Sequence, residues 1–311
     1  MHRTRLILLL ALGGAAAVAT SGAMYTLKRT PGVDPGYPPA PIDPVQPSED
    51  VADWCAPGYE PIGGGCLALS SASESAQPLV IYLHGRYARD AAAEEVDRQR
   101  RLAAAATARG FAVLALRGRL GECTSSELAS WYCWPSNEHN EDGAAAVVAG
   151  WSGALTHAHR RTGSTVQLVL GFSNGAYFAG LLATRGLLQA DAFVVAHGGP
   201  VEPVQALPRM PPLLLLSADD DVAQDDMIRL DGDLARERWP HDSYARGGVH
   251  QLTDGDIDAA LTFFARAHEP LPLEPPLPLH RPVHHPHELE KPVAEGPLEP
   301  SAVSVGEEAG L

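Results

Sequence analysis

The chain has 311 residues, with 38 Asp or Glu against 23 Lys or Arg, for a formal net charge of -15. Apolar residues make up 45% and charged residues 20%, enough for a sizeable core, which excludes collagen, coiled coil and wholesale disorder. So acidic a chain repels phosphate backbones, and nucleic acid is not expected as a partner.

The chain opens with Arg3 and Arg5, an uncharged run from Leu6 to Leu27, and then Lys28 and Arg29. The strongly apolar part, Leu6 to Ala19, ends in an Ala17-Val18-Ala19 step that resembles a secretory signal with its small-residue cleavage site. The competing reading is an uncleaved anchor, because 22 uncharged residues could just span a bilayer. Either way residues 1–28 predict export to a periplasmic or extracellular location, with membrane attachment only through this segment. Prolines mark two further boundaries. Residues 30–50 hold 7 of them and residues 269–311 hold 10, leaving 10 of the 27 for the rest of the chain. Neither stretch has sustained helical or strand periodicity, so 29–50 is expected to be a linker and 269–311 an acidic disordered tail. His280, His284, His285 and His287 fall in that tail and are expected to be solvated. The folded domain is placed at 51–268.

Four cysteines form two close pairs, Cys55 with Cys66 and Cys123 with Cys133. An even count behind an export signal favours disulfides over free thiols. Of the three possible pairings the local one is favoured, because each loop closes over only about ten residues. No Cys-x-x-Cys spacing suggests zinc, and no metal or cofactor is expected.

Within the domain, a hairpin is predicted from Tyr59–Ile62 and Cys66–Leu69 around Gly63-Gly64-Gly65. Then come a buried strand at Leu79–Leu83, a helix over Asp90–Arg109, a strand at Phe111–Leu116, and a helix over Asp142–Arg161 capped at Asn140. They are followed by a strand at Val166–Gly171, a helix over Asn174–Arg185, short strands at Phe193–Ala196 and Leu213–Leu216, and a last helix over Asp254–His268. Strand and helix in alternation predict an α/β fold, with a mostly parallel central sheet and helices on both faces.

The chemistry centres on Gly171-Phe172-Ser173-Asn174-Gly175, a G-x-S-x-G pentapeptide between a predicted strand and a predicted helix. A serine at that corner is lifted above the sheet at a helix N-terminus, where free amides and the dipole favour developing negative charge. Its hydroxyl needs a base, and the base an orienting acid. The acid is sought in Ser217-Ala218-Asp219-Asp220-Asp221, past the carboxyl end of a strand. Asp220 is favoured, with Asp219 next. The base is sought before the last helix, where Gly247-Gly248-Val249-His250 fits and His241 is the rival. The loop after the first strong strand, Leu83-His84-Gly85-Arg86, would supply one oxyanion amide, that of Arg86, with Asn174 supplying the other. His84 precedes the serine, the wrong order for a triad base, and is expected to hold its loop.

These residues together (His84-Gly85, the Ser173 pentapeptide, Asp220, and Gly248-Val249-His250) resemble the α/β-hydrolase superfamily over about residues 78–268. Gly-Phe-Ser-Asn-Gly-Ala and the upstream Trp131-Tyr132 look like its phospholipase/carboxylesterase and polyhydroxybutyrate-depolymerase-like branches. That resemblance implies hydrolysis of carboxylic esters by a serine acyl-enzyme, on a small-molecule or lipid-like ester. A serine peptidase on the same triad and a catalytically silent binding module of the cell envelope are the alternatives. The segment Gly118–Glu141 carries Trp131, Tyr132 and Trp134 beside the second cysteine pair. It is read either as the wall of an acyl pocket or as a minicore packed on the domain.

Overall fold

A computed structural model describes residues 54–71, 76–123, 125–136, 141–200 and 202–268. All of them belong to the unit Gln46–Leu311. The N-terminal segment, the whole proline-rich linker, the cap at Asn140 and the acidic tail lie outside the described residues.

Short apolar runs form the central strands because every one of their side chains can be buried on one face or the other. The main sheet contains β1 (Glu60–Ile62), β2 (Gly65–Ala68), β3 (Leu79–Leu83), β5 (Ala112–Leu116), β8 (Gln167–Phe172), β9 (Ala192–Ala196), β10 (Leu213–Asp220) and β11 (His241–Val249). Their order is β1-β2-β5-β3-β8-β9-β10-β11. The hairpin β1–β2 and the β2–β5 pair are antiparallel, and every later pair is parallel. A second, three-stranded antiparallel sheet joins β4 (Tyr87–Ala88), β7 (Trp131–Cys133) and β6 (Arg119–Leu120).

Alternation along each strand sorts the core into two layers. Leu79, Ile81 and Leu83 point to one face with Val169, Phe193, Val195, Leu213 and Leu215. That face is covered by α2 (Glu141–Gly150), α3 (Ser152–Thr162), α4 (Asn174–Thr184) and α5 (Gln224–Arg236). Val80 and Tyr82 point to the other with Leu168, Leu170, Val194 and Leu216, beneath α1 (Ala92–Thr107) and α6 (Asp254–His268). Ile257, Leu261 and Phe264 of α6 are at most 1% exposed, and each such side chain stabilises the fold by about 1.5–3 kcal/mol.

Beyond the small second sheet, which the sequence did not suggest, the structure departs from the sequence-based elements in four places. The single helix expected over 142–161 is two, broken at Trp151, which is buried against Trp134 and Phe178. The strand expected to end at Leu216 runs on to Asp220. The amphipathic α5 and the edge strand β11 were not expected. β11 is mostly exposed along its length and carries Gly247 and Gly248 within it, so those glycines extend a strand. Cys55–Cys66 and Cys123–Cys133 are both bonded, with Cα–Cα distances of 5.4 and 5.3 Å, and no described cysteine is free.

Candidate active site

Ser173 is the turn between β8 and α4, and its backbone has φ 53° and ψ -121°. This region is costly for a residue with a Cβ, and such strain collects at functional sites. The corner closes only because its flanks lack side chains. A Cβ on Gly171 would lie 2.2 Å from the Gly175 carbonyl oxygen, and one on Gly175 would lie 2.1 Å from that of Leu83.

The Ser173 hydroxyl donates to Nε2 of His250 at 2.8 Å, and Nδ1–H of His250 donates to Oδ1 of Asp221 at 2.7 Å. His250 stands one residue past β11, and its ring lies 5.4 Å from that of Phe172. The acid in contact with the imidazole is therefore Asp221, which corrects the expectation of Asp220. Because β10 runs on to Asp220, Asp219 and Asp220 are exposed, and only the next residue turns inward. There the Asp221 amide bonds to the Ala218 carbonyl and its carboxylate is fully buried. Burial pushes its pKa up. The Ala223 amide, His250 and His197 outweigh that and hold the carboxyl below the usual carboxylate range.

His197, which sequence reasoning did not single out, lies behind Asp221. Its Nδ1–H donates to Oδ2 of Asp221. Its Nε2 faces Oδ2 of Asp256 and Nη2 of Arg246, each at 3.4 Å. Asp256 accepts in turn from Nε of Arg246 at 3.0 Å and from the amide and hydroxyl of Thr253 at 2.8 and 2.7 Å. Burial raises the Asp256 pKa, but His197, Arg246 and Thr253 together hold it far below the ordinary value. The rival base His241 begins β11 and donates from Nδ1 to the Trp239 carbonyl, apart from this cluster.

His84 is fully buried with both ring nitrogens on backbone. Nδ1–H donates to the Gly85 carbonyl at 2.6 Å, and Nε2 accepts from the Gly118 amide at 2.8 Å. Burial lowers its pKa to about 3, so it stays neutral and ties the Gly85–Arg86 loop to the end of β5. That loop lies against the serine: a Cβ on Gly85 would be 3.0 Å from the Ser173 Cβ. Arg86 follows it with an exposed side chain. Asn174 opens α4, where a first-turn amide has no partner within its own helix.

No protein-family model matches the chain, and neither does any curated protein. Solved structures do. A variant of SOBER1 from Arabidopsis thaliana is 15% identical, aligning over 62% of this chain and 99% of its own, with a TM-score of 0.50. A Bacillus cereus carboxylesterase is 17% identical over 65% and 94%, with a TM-score of 0.48. An α/β hydrolase from a Medee basin deep-sea metagenome library is 18% identical over 65% and 90%, with a TM-score of 0.40. The eight-stranded order, with only its second strand antiparallel to both neighbours, carries a strained serine at the β8–α4 corner. The chain has the α/β-hydrolase fold.

In this α/β-hydrolase fold Trp134 of the aromatic segment packs into the core. Trp134 is 1% exposed and stacks on Phe178 at 5.5 Å. Its indole N–H donates to the His84 carbonyl at 2.9 Å and its backbone N–H to Oδ1 of Asn174 at 2.7 Å. One residue thus braces both loops that carry the expected oxyanion amides, and Cys123–Cys133 anchors it from the adjacent position. Tyr132 stacks on Tyr87, with the Arg117 guanidinium 4.8 Å from its ring. A cleft of about 620 Å³ opens beside His250. It is lined by α1 residues including Glu94, Arg98 and Arg101, by Phe172, and by Val249. None of its lining residues comes from the aromatic segment.

His197, Asp221 and His250 each bring one ligand atom within 4.8 Å of the others. A cation there would compete for the atoms that make the imidazole–carboxylate bonds.

Proposed function

We propose that the protein is an exported serine hydrolase that cleaves carboxylic esters through an acyl-enzyme. The observation that carries this reading is the unbroken hydrogen-bond chain from Ser173 through His250 to Asp221 at a strained strand–helix corner. Ser173 Oγ attacks the ester carbonyl while its proton passes to Nε2 of His250. The amides of Arg86 and Asn174 receive the oxyanion, and Trp134 keeps the two apart at a constant spacing. His250 returns the proton to the departing alkoxide. Water then enters, His250 takes its proton, and the acyl group leaves as the acid with Ser173 restored. Asp221 holds the imidazole in the required tautomer and stabilises the transient imidazolium.

The cleft beside His250, lined by His250 and Phe172 but not by Ser173 itself, is of a size for a small or lipid-like ester. Two disulfides support an oxidising compartment and so an exported protein. Among the described residues no helix is long and apolar enough to cross a membrane.

Fluorophosphonate labelling combined with p-nitrophenyl acetate turnover tests the reading. Wild type should label at Ser173 and turn over. Ser173→Ala should do neither, with kcat falling about 10⁶-fold and unfolding unchanged. Turnover retained by the pure variant would refute the proposal.

A further inference from the structure

We propose that His197 is a positioning residue for this site: held by Asp256 and Arg246, it fixes the second oxygen of Asp221 and thereby the direction in which that carboxylate meets His250. The inference rests on the serine-hydrolase reading and extends it to residues that touch neither Ser173 nor His250 by hydrogen bond.

His197 follows β9 with φ 59°, a left-handed conformation uncommon for a residue with a side chain. Its amide still donates to the Leu216 carbonyl at 2.8 Å, so the strain is local to this residue. The imidazole is 0% exposed, and a buried imidazole needs partners for both nitrogens. One partner is the acid of the triad and the other is the Asp256–Arg246 pair.

The division of labour on Asp221 is what gives His197 a role. Oδ1 accepts from His250 at 2.7 Å and from the Ala223 amide at 2.8 Å, while Oδ2 is taken by His197. With Oδ2 unheld, only the two bonds at Oδ1 restrain the last torsion of the carboxylate, which is broad for Asp. The His250 bond would then be one of several orientations.

The same cluster also restrains the base. His250 sits in the short stretch between Arg246 of β11 and Asp256 of α6, and the Arg246–Asp256 ion pair closes the foot of that loop. A further bond, from Nη2 of Arg246 to the Gln251 carbonyl at 2.5 Å, ties the loop itself. Acid and base are thus aligned by one buried network. The groups facing the His197 imidazole are Asp221, Asp256, Arg246, the His250 ring at 5.9 Å and the apolar Phe172 ring at 5.9 Å.

Two substitutions separate positioning from packing. His197→Ala removes the donor. His197→Asn keeps an N–H close to the position of Nδ1, and Asn tolerates the left-handed backbone. The readouts are kcat and KM for p-nitrophenyl acetate and, independently of turnover, the NMR signal of the His250 Nδ1 proton. His197→Ala should lower kcat about 10–100-fold, as loss of an orienting partner does elsewhere, leave KM within about twofold, and broaden or abolish that signal. His197→Asn should keep the signal and recover kcat to within about fivefold of wild type. If His197→Ala does not fold, His197→Asn and its signal carry the decision. Wild-type kcat in His197→Ala overturns the proposal, as does a folded His197→Asn that retains the proton signal but loses as much kcat as the alanine variant. An inactive, unlabelled wild type would instead defeat the ester-hydrolase reading, and the NMR arm would still report whether His197 aligns Asp221.

Discussion

The network around Asp221 and Asp256 and the pocket around Glu95 bury the same kind of group and treat it in opposite ways. Asp221 and Asp256 are both saturated: backbone amides, two imidazoles, a guanidinium and a threonine hydroxyl all donate to them. Glu95 of α1 is equally buried, but only Oε2 is engaged, by Arg98 at 2.9 Å and by the Tyr82 hydroxyl at 3.4 Å. Oε1 has no partner among the described residues, nor do the nearby polar atoms Tyr87 OH and Gln99 Nε2. Burial therefore dominates at Glu95 and raises its pKa to about 7 against the opposing pull of Arg98, Gln99 and Tyr82, while donors dominate at the two aspartates and hold them low. Burial sets the penalty on a carboxylate, and the number of donors decides whether the charge survives it.

The contrast fixes the signs of stability against pH. The aspartates, depressed in the folded state, contribute stability that is present above the unfolded carboxylate range and is lost as pH falls through their folded values. Glu95 is raised from 4.5 to about 7, so its contribution is greatest below pH 4.5 and is lost as pH climbs towards 7.

The largest test removes donors from the saturated side. Arg246→Met keeps the volume but leaves the buried Asp256 short of its cation. It should cost about 3–5 kcal/mol in urea unfolding at pH 7, and a change below 1 kcal/mol would show the pair to be dispensable. Next, Glu95→Gln removes a charge that the starved side holds poorly. At pH 8 it should stabilise by up to about 3 kcal/mol, with the gain gone below pH 4.5. A gain that is the same at both pH values would place the effect in packing and not in ionisation. The smallest is Tyr87→Phe, which deletes an orphaned hydroxyl while keeping the ring against Tyr132 and His84. It should be neutral or stabilising by less than about 1 kcal/mol, and a clear loss would mean that the hydroxyl has a partner after all.

Much of the fold could be read from the chain because the inner strands are uninterrupted apolar runs, and Ser173 because its glycines have a steric reason to be there. β11 escaped notice for the opposite reason. As an edge strand with mostly exposed side chains, His241–Val249 lacks an apolar run to mark it. The acid was misplaced by one position because three consecutive aspartates look alike until the end of the strand is known, and β10 outlasts its apolar stretch by four residues. His197 gave only a faint signal, a histidine between a buried strand and Gly198-Gly199. Its partners Asp256 and Arg246 are distant in sequence, and only the fold brings them together. Trp134 was assigned to a wall or a minicore with equal reason, since an aromatic segment carries no mark of the direction in which each ring points.

The account turns on which aspartate orients His250, and an asparagine scan of the acid turn tests this directly. With p-nitrophenyl acetate at pH 8, Asp221→Asn should lower kcat about 10⁴-fold, the size of loss seen when a triad acid is neutralised. Asp219→Asn and Asp220→Asn, both on exposed side chains, should stay within about twofold of wild type, as surface substitutions away from the chemistry do. A severe loss in Asp220→Asn with near-normal turnover in Asp221→Asn would contradict the triad described here.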